Sequence, residues 1–301
     1  MKEASAFSPG HLTGFFQICD RDENPLKKGS TGSGFSIPLG VNTTVRVEPA
    51  ECISTKITIN GEATFEAFVS ENVANRMLSK LDNSYEVSVE HDIKTPLGAG
   101  FGSSGGGALS LALALNEALD LGMSSVDAAQ VAHLAEIECK TGLGTVIAEF
   151  TGGFGALIKP GAPGIGETVN FNHSTKLRAV FLPFGPIPTK EALSDELLRH
   201  RINELGGRFV DEIHKDPSPA LFMDLSRRFA EHVGLITPRL RAVLDKTDRA
   251  SIPCSMAMFG EVLFSLVEED QVQKLVEVLR ESAPDQKVIV TWIEAKGAHL
   301  T

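Results

Sequence analysis

The sequence predicts an α+β protein made of two domains. Runs of alternating apolar and polar residues, rich in β-branched side chains, are interspersed with segments whose apolar residues recur at helical spacing. The 301 residues are enough for one large domain or for two of about 150 residues. A stretch rich in proline and glycine, residues 160–164, is the best boundary along the chain. We therefore expect an N-terminal domain at residues 1–162 and a C-terminal domain at residues 163–301.

The first half of the chain carries most of the predicted strands. A short strand-like segment opens residues 4–19 and is broken at Pro9-Gly10, and a polar stretch follows at residues 20–34. Asn60-Gly61 is typical of a turn, and Ser124 with Asp127 has the spacing of a helix capping box. Strands are predicted at 35–47, 53–59, 85–93 and 154–158. Helices are predicted at 65–81, 108–119 and 125–139.

The second half of the chain repeats this mixture of helices and strands, as expected of an α+β domain. Strands are predicted at 177–184, 256–267 and 287–293. Helices are predicted around 191–205 and at 220–233, 238–245 and 272–282.

Composition and charge exclude several classes of protein. A net charge of −11 without a basic stripe argues against nucleic-acid binding. The longest nearly uninterrupted apolar run, residues 108–115, is too short to span a bilayer, and residues 1–4 do not begin a secretory signal. The four cysteines form no C-x-x-C pair, which argues against a zinc site or a disulfide framework. We expect a cytoplasmic protein with reduced thiols.

The stretch PLGAGFGSSGGG, residues 96–107, lies between a predicted strand and a long apolar helix. Glycines let the backbone approach a ligand closely, and the hydroxyls of Ser103 and Ser104 can reach a phosphate or a metal. At the start of a helix, free backbone N–H groups and the positive end of the dipole favour phosphate. The sequence therefore predicts a nucleotide-phosphate site here.

Three other interpretations of this stretch are weaker. Residues 100–105 spell G-x-G-x-x-G, but the dinucleotide fingerprint needs a following strand, and the next predicted element is the helix at 125–139. The Walker A pattern of the P-loop nucleotide-binding proteins, G-x-x-x-x-G-K-[ST], does not occur in the sequence. A plain turn would not need so many glycines, which are costly to order.

The pattern P-x-x-x-G-F-G-S-S-G resembles the central motif of the GHMP kinases, usually P-x-x-x-G-L-G-S-S-A, with Phe101 and Gly105 as the departures. The resemblance implies an N-terminal domain like domain 2 of ribosomal protein S5 and a ferredoxin-like C-terminal α/β sandwich. It also implies ATP as the phosphate donor and Mg²⁺ as a cofactor. The implied nucleotide-binding residues are Pro96, Gly98, Gly100, Gly102, Ser103, Ser104, Gly105 and Gly106.

The resemblance extends to residues 132–153. In the family a helix Glu completes Mg²⁺ coordination with a serine of the central motif, which implies Ser104 and Glu136 as metal ligands, with Glu138 as the alternative to Glu136. The Asp that serves as base in mevalonate-type members is replaced by Thr145, which cannot act as a base near neutral pH. Homoserine kinase also lacks this Asp, and phosphoryl transfer can proceed by positioning and charge stabilisation. The expected catalytic residues are Ser104, Glu136, Lys140 and Thr145, with Lys140 or His11 the candidate for stabilising the transferring group.

Further segments resemble the archaeal pantoate kinase branch of this family, namely residues 8–16, 29–35, 141–146, 159–164 and, loosely, 256–260. The branch implies transfer of phosphate from ATP to (R)-pantoate, giving 4-phosphopantoate for coenzyme A synthesis. His11 stands where the family usually has Lys or Arg. Pantoate needs donors for its carboxylate and hydroxyls, and the expected substrate-binding residues are His11, Thr13, Ser30 and Ser33, with Lys140 and Lys159 as further sources.

Two alternatives remain open at this stage. The first is another small-molecule GHMP kinase, acting on homoserine or a mevalonate derivative. The second is a non-catalytic regulatory protein on the same scaffold, since Thr145 replaces the Asp of some members. The sequence also leaves a homodimer open.

Overall fold

A long antiparallel hairpin lies at the centre of the N-terminal sheet. In the computed structural model, which describes residues 1–64, 66–79, 81–187 and 193–301, β1 (Lys2–Cys19) and β2 (Gly29–Pro49) pair along nearly their whole length. The predicted break at Pro9-Gly10 is wrong. A register shift between Ser8 and Gly10 lets β1 continue past a proline that has no N–H to donate.

The end of the predicted polar stretch, residues 29–34, is in fact the buried start of β2. It pairs with the end of β1 on one side and with β6 (Phe154–Lys159) on the other. Glycine permits this close approach, because a Cβ on Gly34 would overlap the carbonyl oxygen of Leu12. The prediction missed this strand because glycine and serine show no alternation of apolar and polar residues.

The remaining strands of the N-terminal sheet are β3 (Ser54–Ile59), β4 (Glu62–Ala63), β5 (Tyr85–Ile93), β7 (Glu167–Asn170) and β12 (His299–Leu300). The sheet has the order β12-β1-β2-β5-β3-β4, and β6 and β7 extend it beside the first half of β2. β3 is parallel to β5, and the other pairs are antiparallel. The strands predicted at 53–59, 85–93 and 154–158 are confirmed.

Helices cover one face of this sheet and form its apolar core. They are α1 (Phe68–Leu78), α2 (Ser103–Ala118), α3 (Ser125–Cys139) and α4 (Thr145–Thr151). The helix α2 is buried nearly all round, as its apolar sequence predicts, but it begins five residues earlier than expected. The helix α3 has the predicted bounds, and the Ser124 hydroxyl accepts a hydrogen bond from the Asp127 N–H. The helix α1 is shorter than the predicted 65–81, of which residues 65 and 80 lie outside the described residues, and α4 was not predicted.

The second half of the chain forms an antiparallel sheet of order β11-β8-β10-β9. Numbered within this half the order is 4-1-3-2, which is the ferredoxin-like arrangement, so the predicted fold class is confirmed. Its strands are β8 (Leu177–Pro186), β9 (Ser255–Met256), β10 (Gly260–Glu268) and β11 (Ile289–Thr291). Its helices are α5 (Glu196–Lys215), α6 (Pro219–Val233), α7 (Pro238–Arg249) and α8 (Glu269–Ser282).

Several of these boundaries differ from the prediction. The single strand predicted at 256–267 is two strands, β9 and β10, because the chain turns at residues 257–259, where Phe259 has a left-handed φ of 58°. The strand predicted at 287–293 is the shorter β11, and the helix predicted at 272–282 begins at Glu269. The helix expected around 191–205 begins at Glu196 and continues to Lys215, and residues 191 and 192 fall outside the described part of the chain. The helix expected at 238–245 continues to Arg249. None of the helices in the described ranges is long and apolar enough to cross a membrane.

The two halves share an aromatic core. Phe154 of β6 packs edge-on against Phe222 of α6 with ring centroids 5.2 Å apart, and Phe35 of β2 stacks on Phe181 of β8 at 6.1 Å. Burying each such ring contributes about 1.5–3 kcal/mol. β7 lies beyond residue 162 yet pairs with β6, and the division into domains at that residue stays a prediction.

Candidate functional site

A cleft lies where the phosphate loop, residues 96–102 between β5 and α2, meets the start of β2, the helix α4 and the turn before β10. The space between its walls, counted together with the open solvent at its mouth, is about 1170 Å³. Leu193, Met258 and Phe259 bring the second half of the chain into its lining. The predicted site residues that line it are His11, Thr13, Ser30, Ser33, Gly98, Gly100, Gly102, Ser103, Ser104, Gly105, Glu136 and Thr145.

The phosphate loop needs glycine because the chain turns through left-handed conformations. Gly98, Gly100 and Gly102 have φ of 68°, 79° and 76°, and Gly102 is the N-cap of α2. By helix geometry the N–H groups of residues 103–105 have no acceptor within the helix. These donors, with the positive end of the α2 dipole, suit a phosphate.

Contacts on both sides hold the phosphate loop in place. The N–H of His11 donates to the carbonyl of Phe101 at 2.9 Å, and the Phe101 ring packs edge-on against Phe181 at 5.1 Å. On the other side the backbone of Gly260 leaves no room for a side chain, because a Cβ there would overlap the carbonyl of Ala99. Gly260 belongs to the segment of residues 256–260, which loosely resembles the pantoate kinase branch, and it lies directly against the loop.

An oxygen-rich cluster lies at the first turn of α2. The hydroxyls of Ser104 and Thr141 both donate to Oε1 of Glu136, each at 2.6 Å. Burial raises the pKa of Glu136, and the two hydroxyl hydrogen bonds pull it back toward the usual range. Carboxylate and hydroxyl oxygens are ligands that Mg²⁺ prefers, so these residues fit the cation. The alternative ligand, Glu138, is exposed and paired with Arg76.

Thr145 begins α4 and faces this cluster. Its methyl carbon lies 2.8 Å and 3.1 Å from the positions that a Cβ would take on Gly102 and Gly105. Its hydroxyl lies 3.4 Å from the equivalent position on Gly142. Thr145 therefore packs against the helical turn proposed to receive phosphate.

A buried carboxyl one turn further along α4 was not predicted. Glu149 is fully shielded from solvent, and a Cβ on Gly102 would overlap its Oε1. Burial, with repulsion from Glu136, raises the pKa of Glu149 well above its usual range. The available signal was its spacing, because Glu149 follows Thr145 by four residues and so shares its helix face.

The predicted substrate-binding residues lie along β1 and β2. Burial lowers the pKa of His11 to about 4, so its imidazole is neutral near pH 7, and Nδ1 lies 3.4 Å from the Ser36 hydroxyl. The Ser33 hydroxyl donates to the carbonyl of Gly155 at 2.8 Å. Ser30 lies beside Gly144, at the entrance to α4. No Lys or Arg side chain is among the described residues that line the cleft.

Several predicted residues lie outside the lining of the cleft. Pro96 and Gly106 flank it, and Lys140 is exposed in a left-handed conformation, φ 57°, where it caps α3. Lys159 is exposed and paired with Glu167. The role assigned to Lys140 stays a prediction. Lining residues that the sequence did not suggest include Leu157, Thr168 and Asn170, whereas Met258 and Phe259 belong to the segment of residues 256–260 that loosely resembles the pantoate kinase branch.

Comparison with known proteins identifies the family. Residues 67–153 match the family model described as the GHMP kinases N terminal domain. A protein named pantoate kinase from Thermococcus kodakarensis is 37% identical over 278 residues, which cover 91% of both chains. Another of that name, from Methanocaldococcus jannaschii, is 32% identical over 91% of this chain and 96% of its own.

Solved structures agree with this assignment. A phosphotransferase described as related to the coenzyme A biosynthesis pathway superposes with a TM-score of 0.90 at 34% identity, covering 99% of this chain and 98% of the other. A homoserine kinase from Cytophaga hutchinsonii superposes with a TM-score of 0.71 at 18% identity, covering 100% and 98%, and at that identity it supports the fold alone. The chain therefore belongs to the GHMP kinase family, in its pantoate kinase branch.

Proposed function

We propose that this chain transfers the γ-phosphoryl group of ATP to the primary hydroxyl of (R)-pantoate, giving ADP and 4-phosphopantoate as a step of coenzyme A synthesis. The observation that carries this proposal is the identity of 37% and 32% to two proteins named pantoate kinase, over 91% of this chain in each case. The cleft supports it, because the N–H groups that suit a phosphate and the residues predicted to bind pantoate line the same space.

The nucleotide end of the cleft is assigned to the phosphate loop and the start of α2. The N–H groups of Ser103, Ser104 and Gly105 would donate to the phosphate oxygens, and the glycines of the loop let the nucleotide approach the backbone. Ser104 and Glu136 would hold Mg²⁺ through their side-chain oxygens. Bound there, the cation would reduce the negative charge of the β- and γ-phosphates.

The proposed reaction is an in-line displacement. The primary hydroxyl oxygen of pantoate bonds to the γ-phosphorus, the bond from that phosphorus to the β–γ bridging oxygen breaks, and ADP leaves. The hydroxyl proton passes to the phosphoryl group or to water, because Thr145 cannot accept it. A loose transition state needs little activation of the attacking oxygen, so positioning and charge stabilisation carry most of the catalysis.

The acceptor end of the cleft is assigned to His11, Thr13, Ser30 and Ser33. Because His11 is neutral near pH 7, it would bind pantoate through one ring nitrogen as a hydrogen-bonding group and supply no fixed positive charge. The Ser33 hydroxyl already donates to Gly155, so it would serve pantoate as an acceptor. A cytoplasmic location is also proposed, because four scattered cysteines without a C-x-x-C pair suit a reducing compartment.

The test is release of ADP from MgATP by the purified protein, with (R)-pantoate, homoserine or mevalonate as acceptor. We expect release that depends on (R)-pantoate and exceeds the rate without acceptor. Release with another acceptor but not with pantoate would keep the family and discard this substrate. Nucleotide binding without release on any acceptor would favour a regulatory protein.

A further inference from the structure

Glu149 is a buried acid to which the proposed reaction gives no part. Its side chain is fully shielded, and neither carboxyl oxygen has a hydrogen-bond partner among the residues that the structure describes. Most buried polar side-chain atoms in native proteins are hydrogen-bonded, so an unpartnered carboxyl beside a ligand cleft needs an explanation.

The carboxyl lies against the first turn of α2. A Cβ on Gly102 would overlap Oε1, and a Cβ on Gly105 would lie 3.0 Å from Oε2. The same turn carries Ser104, whose hydroxyl donates to Glu136. Two acids therefore approach one helical turn, with Glu136 in the lining of the cleft and Glu149 behind it.

Thr145 separates these two acids. Its methyl carbon packs at the Gly102 position that Glu149 also contacts, and its hydroxyl lies on the side of Gly142, which Glu136 contacts. Within the described lining of the cleft no Lys or Arg balances the pair. The first turn of α2 is thus bordered by two buried carboxyls without a neighbouring cationic side chain from that lining.

This arrangement is unfavourable in the empty protein, because an apolar side chain of the same shape would pack there without losing hydration. It becomes favourable when a divalent cation reaches the turn, because the cation stabilises the ionised form of the carboxyl, whose proton leaves to solvent, and charges interact strongly where water is excluded. Groups just outside the ligands of a metal influence its binding, and their loss typically weakens metal binding about 10–100-fold.

We propose that Glu149 is a positioning residue for the metal–nucleotide complex. Its carboxyl destabilises the empty protein and strengthens binding once a divalent cation is held at Ser104 and Glu136. This inference rests on the cation site of the proposed function and adds to it a second acid, on α4.

The test compares the wild type with Glu149→Met, which keeps the length of the side chain and removes the carboxyl. We expect the Tm of the nucleotide-free variant to rise by about 2–4 °C. The Kd for Mg·ADP should rise about 10–100-fold, while the Kd for ADP in EDTA should change by less than about threefold. With (R)-pantoate as acceptor, KM for MgATP should rise and kcat should stay within about threefold.

Two further variants keep the result interpretable. Glu149→Gln removes the charge with little change of shape, and it carries the same expectation for Mg·ADP should Glu149→Met fail to fold. Glu117→Gln removes one negative charge from an exposed position near the far end of α2, and it should leave the Tm and both dissociation constants unchanged.

A lower Tm with unchanged affinity for Mg·ADP would make Glu149 a purely structural residue and overturn the proposal. Equal binding of ADP with and without Mg²⁺ by the wild type would overturn it together with the cation site. Because these affinities are measured without acceptor, failure to phosphorylate pantoate would remove the proposed substrate and leave the role of Glu149 standing.

Discussion

Ser104 connects the nucleotide end of the cleft to α3. Its hydroxyl and that of Thr141 both donate to one oxygen of Glu136, which leaves the second carboxyl oxygen for another partner. Glu136 lines the cleft although its side chain is only 2% exposed. A small displacement of Ser104 would therefore disturb both the turn proposed to bind phosphate and the acid proposed to hold Mg²⁺.

The first prediction concerns Ser104→Ala. This change removes one proposed Mg²⁺ ligand and the hydrogen bond to Glu136. We expect kcat for pantoate-dependent ADP release to fall about 10²–10⁴-fold, because phosphoryl transfer depends on charge stabilisation. Steady-state kinetics at saturating substrates would measure the loss, with circular dichroism to verify folding.

Thr145→Ala is the matched control, since Thr145 packs against the same turn without an assigned proton transfer. We expect its kcat to stay within about tenfold of the wild type. A folded Thr145→Ala protein whose rate collapses would show that the threonine hydroxyl takes part in the chemistry. An unchanged rate in Ser104→Ala would remove that serine as a ligand.

At the scale of residues, the sequence predicts groups whose chemistry is carried by residue type and local motif. Ser104 belongs to the glycine-serine motif, and Glu136 is a carboxylate on helix α3. In the structure the two side chains are joined by a hydrogen bond. Glu149 was missed despite its spacing from Thr145, because α4 was not predicted as a helix and a Glu within a short helix is more often exposed than buried. The exposed position of Lys140 depends on the chain reversal after α3, which its residue type does not reveal.

Helix α2 shows how packing overrides local preference. Glycine disfavours helix, so residues 103–107 were predicted as loop, yet they form the first turns of α2. Behind them the Ser110 hydroxyl donates to the carbonyl of Gly106 at 2.7 Å and lies 2.6 Å from the hydroxyl of Thr43. Thr43 also lies 2.8 Å from Nδ1 of His91, so β2 and β5 both anchor the start of the helix.

The second prediction concerns the pH dependence of this polar cluster. Burial lowers the pKa of His91 from 6.5 to about 4 in the folded protein. Between these values the unfolded chain binds the proton and the folded protein does not, so stability falls as pH falls from about 6.5 to about 4. A shift of this size is worth about 3 kcal/mol. Urea unfolding at a series of pH values would show the decline.

His91→Asn should be less stable than the wild type at pH 7 and should show a shallower decline toward pH 4. Ser70→Ala removes the partner of His91 Nε2 and retains the buried imidazole, so it should lower stability and keep the slope. Equal slopes in the wild type and His91→Asn would mean that other groups cause the acid sensitivity.

At the scale of the whole molecule, periodicity predicts the α+β class and most elements, but not which strands become neighbours. Strand order depends on contacts between residues distant in sequence, such as Phe35 with Phe181. The segment of residues 294–301 is the clearest case, because it covers α4 and β1 from the far end of the sequence. Glu294 accepts from Gly153 at 2.8 Å, and Ala298 donates to the carbonyl of Glu149 at 3.0 Å.

The third prediction concerns removal of residues 297–301. This deletion removes the pairing of Ala6 with Leu300, the bond from Ala298 to Glu149 and the packing of Gly297 against Gly152. We expect the Tm to fall by roughly 5–10 °C, because a few hydrogen bonds of about 1 kcal/mol each are lost. Differential scanning calorimetry would measure the change.

Lys296→Ala is the control for this deletion, because Lys296 is exposed and next to the deleted residues. Its Tm should match that of the wild type. If the truncated protein melts like the wild type, the contacts of this segment with β1 and α4 contribute nothing to stability.

The pairing of β12 with β1 has a consequence for synthesis on the ribosome. Ala6 emerges long before its partner Leu300, and at 5–20 residues per second the interval is roughly 15–60 s. During that time one edge of β1 is unpaired, and an open strand edge is a template for joining another nascent chain. The speed of translation therefore sets how long the newly made N-terminal sheet is exposed to other chains on the same messenger.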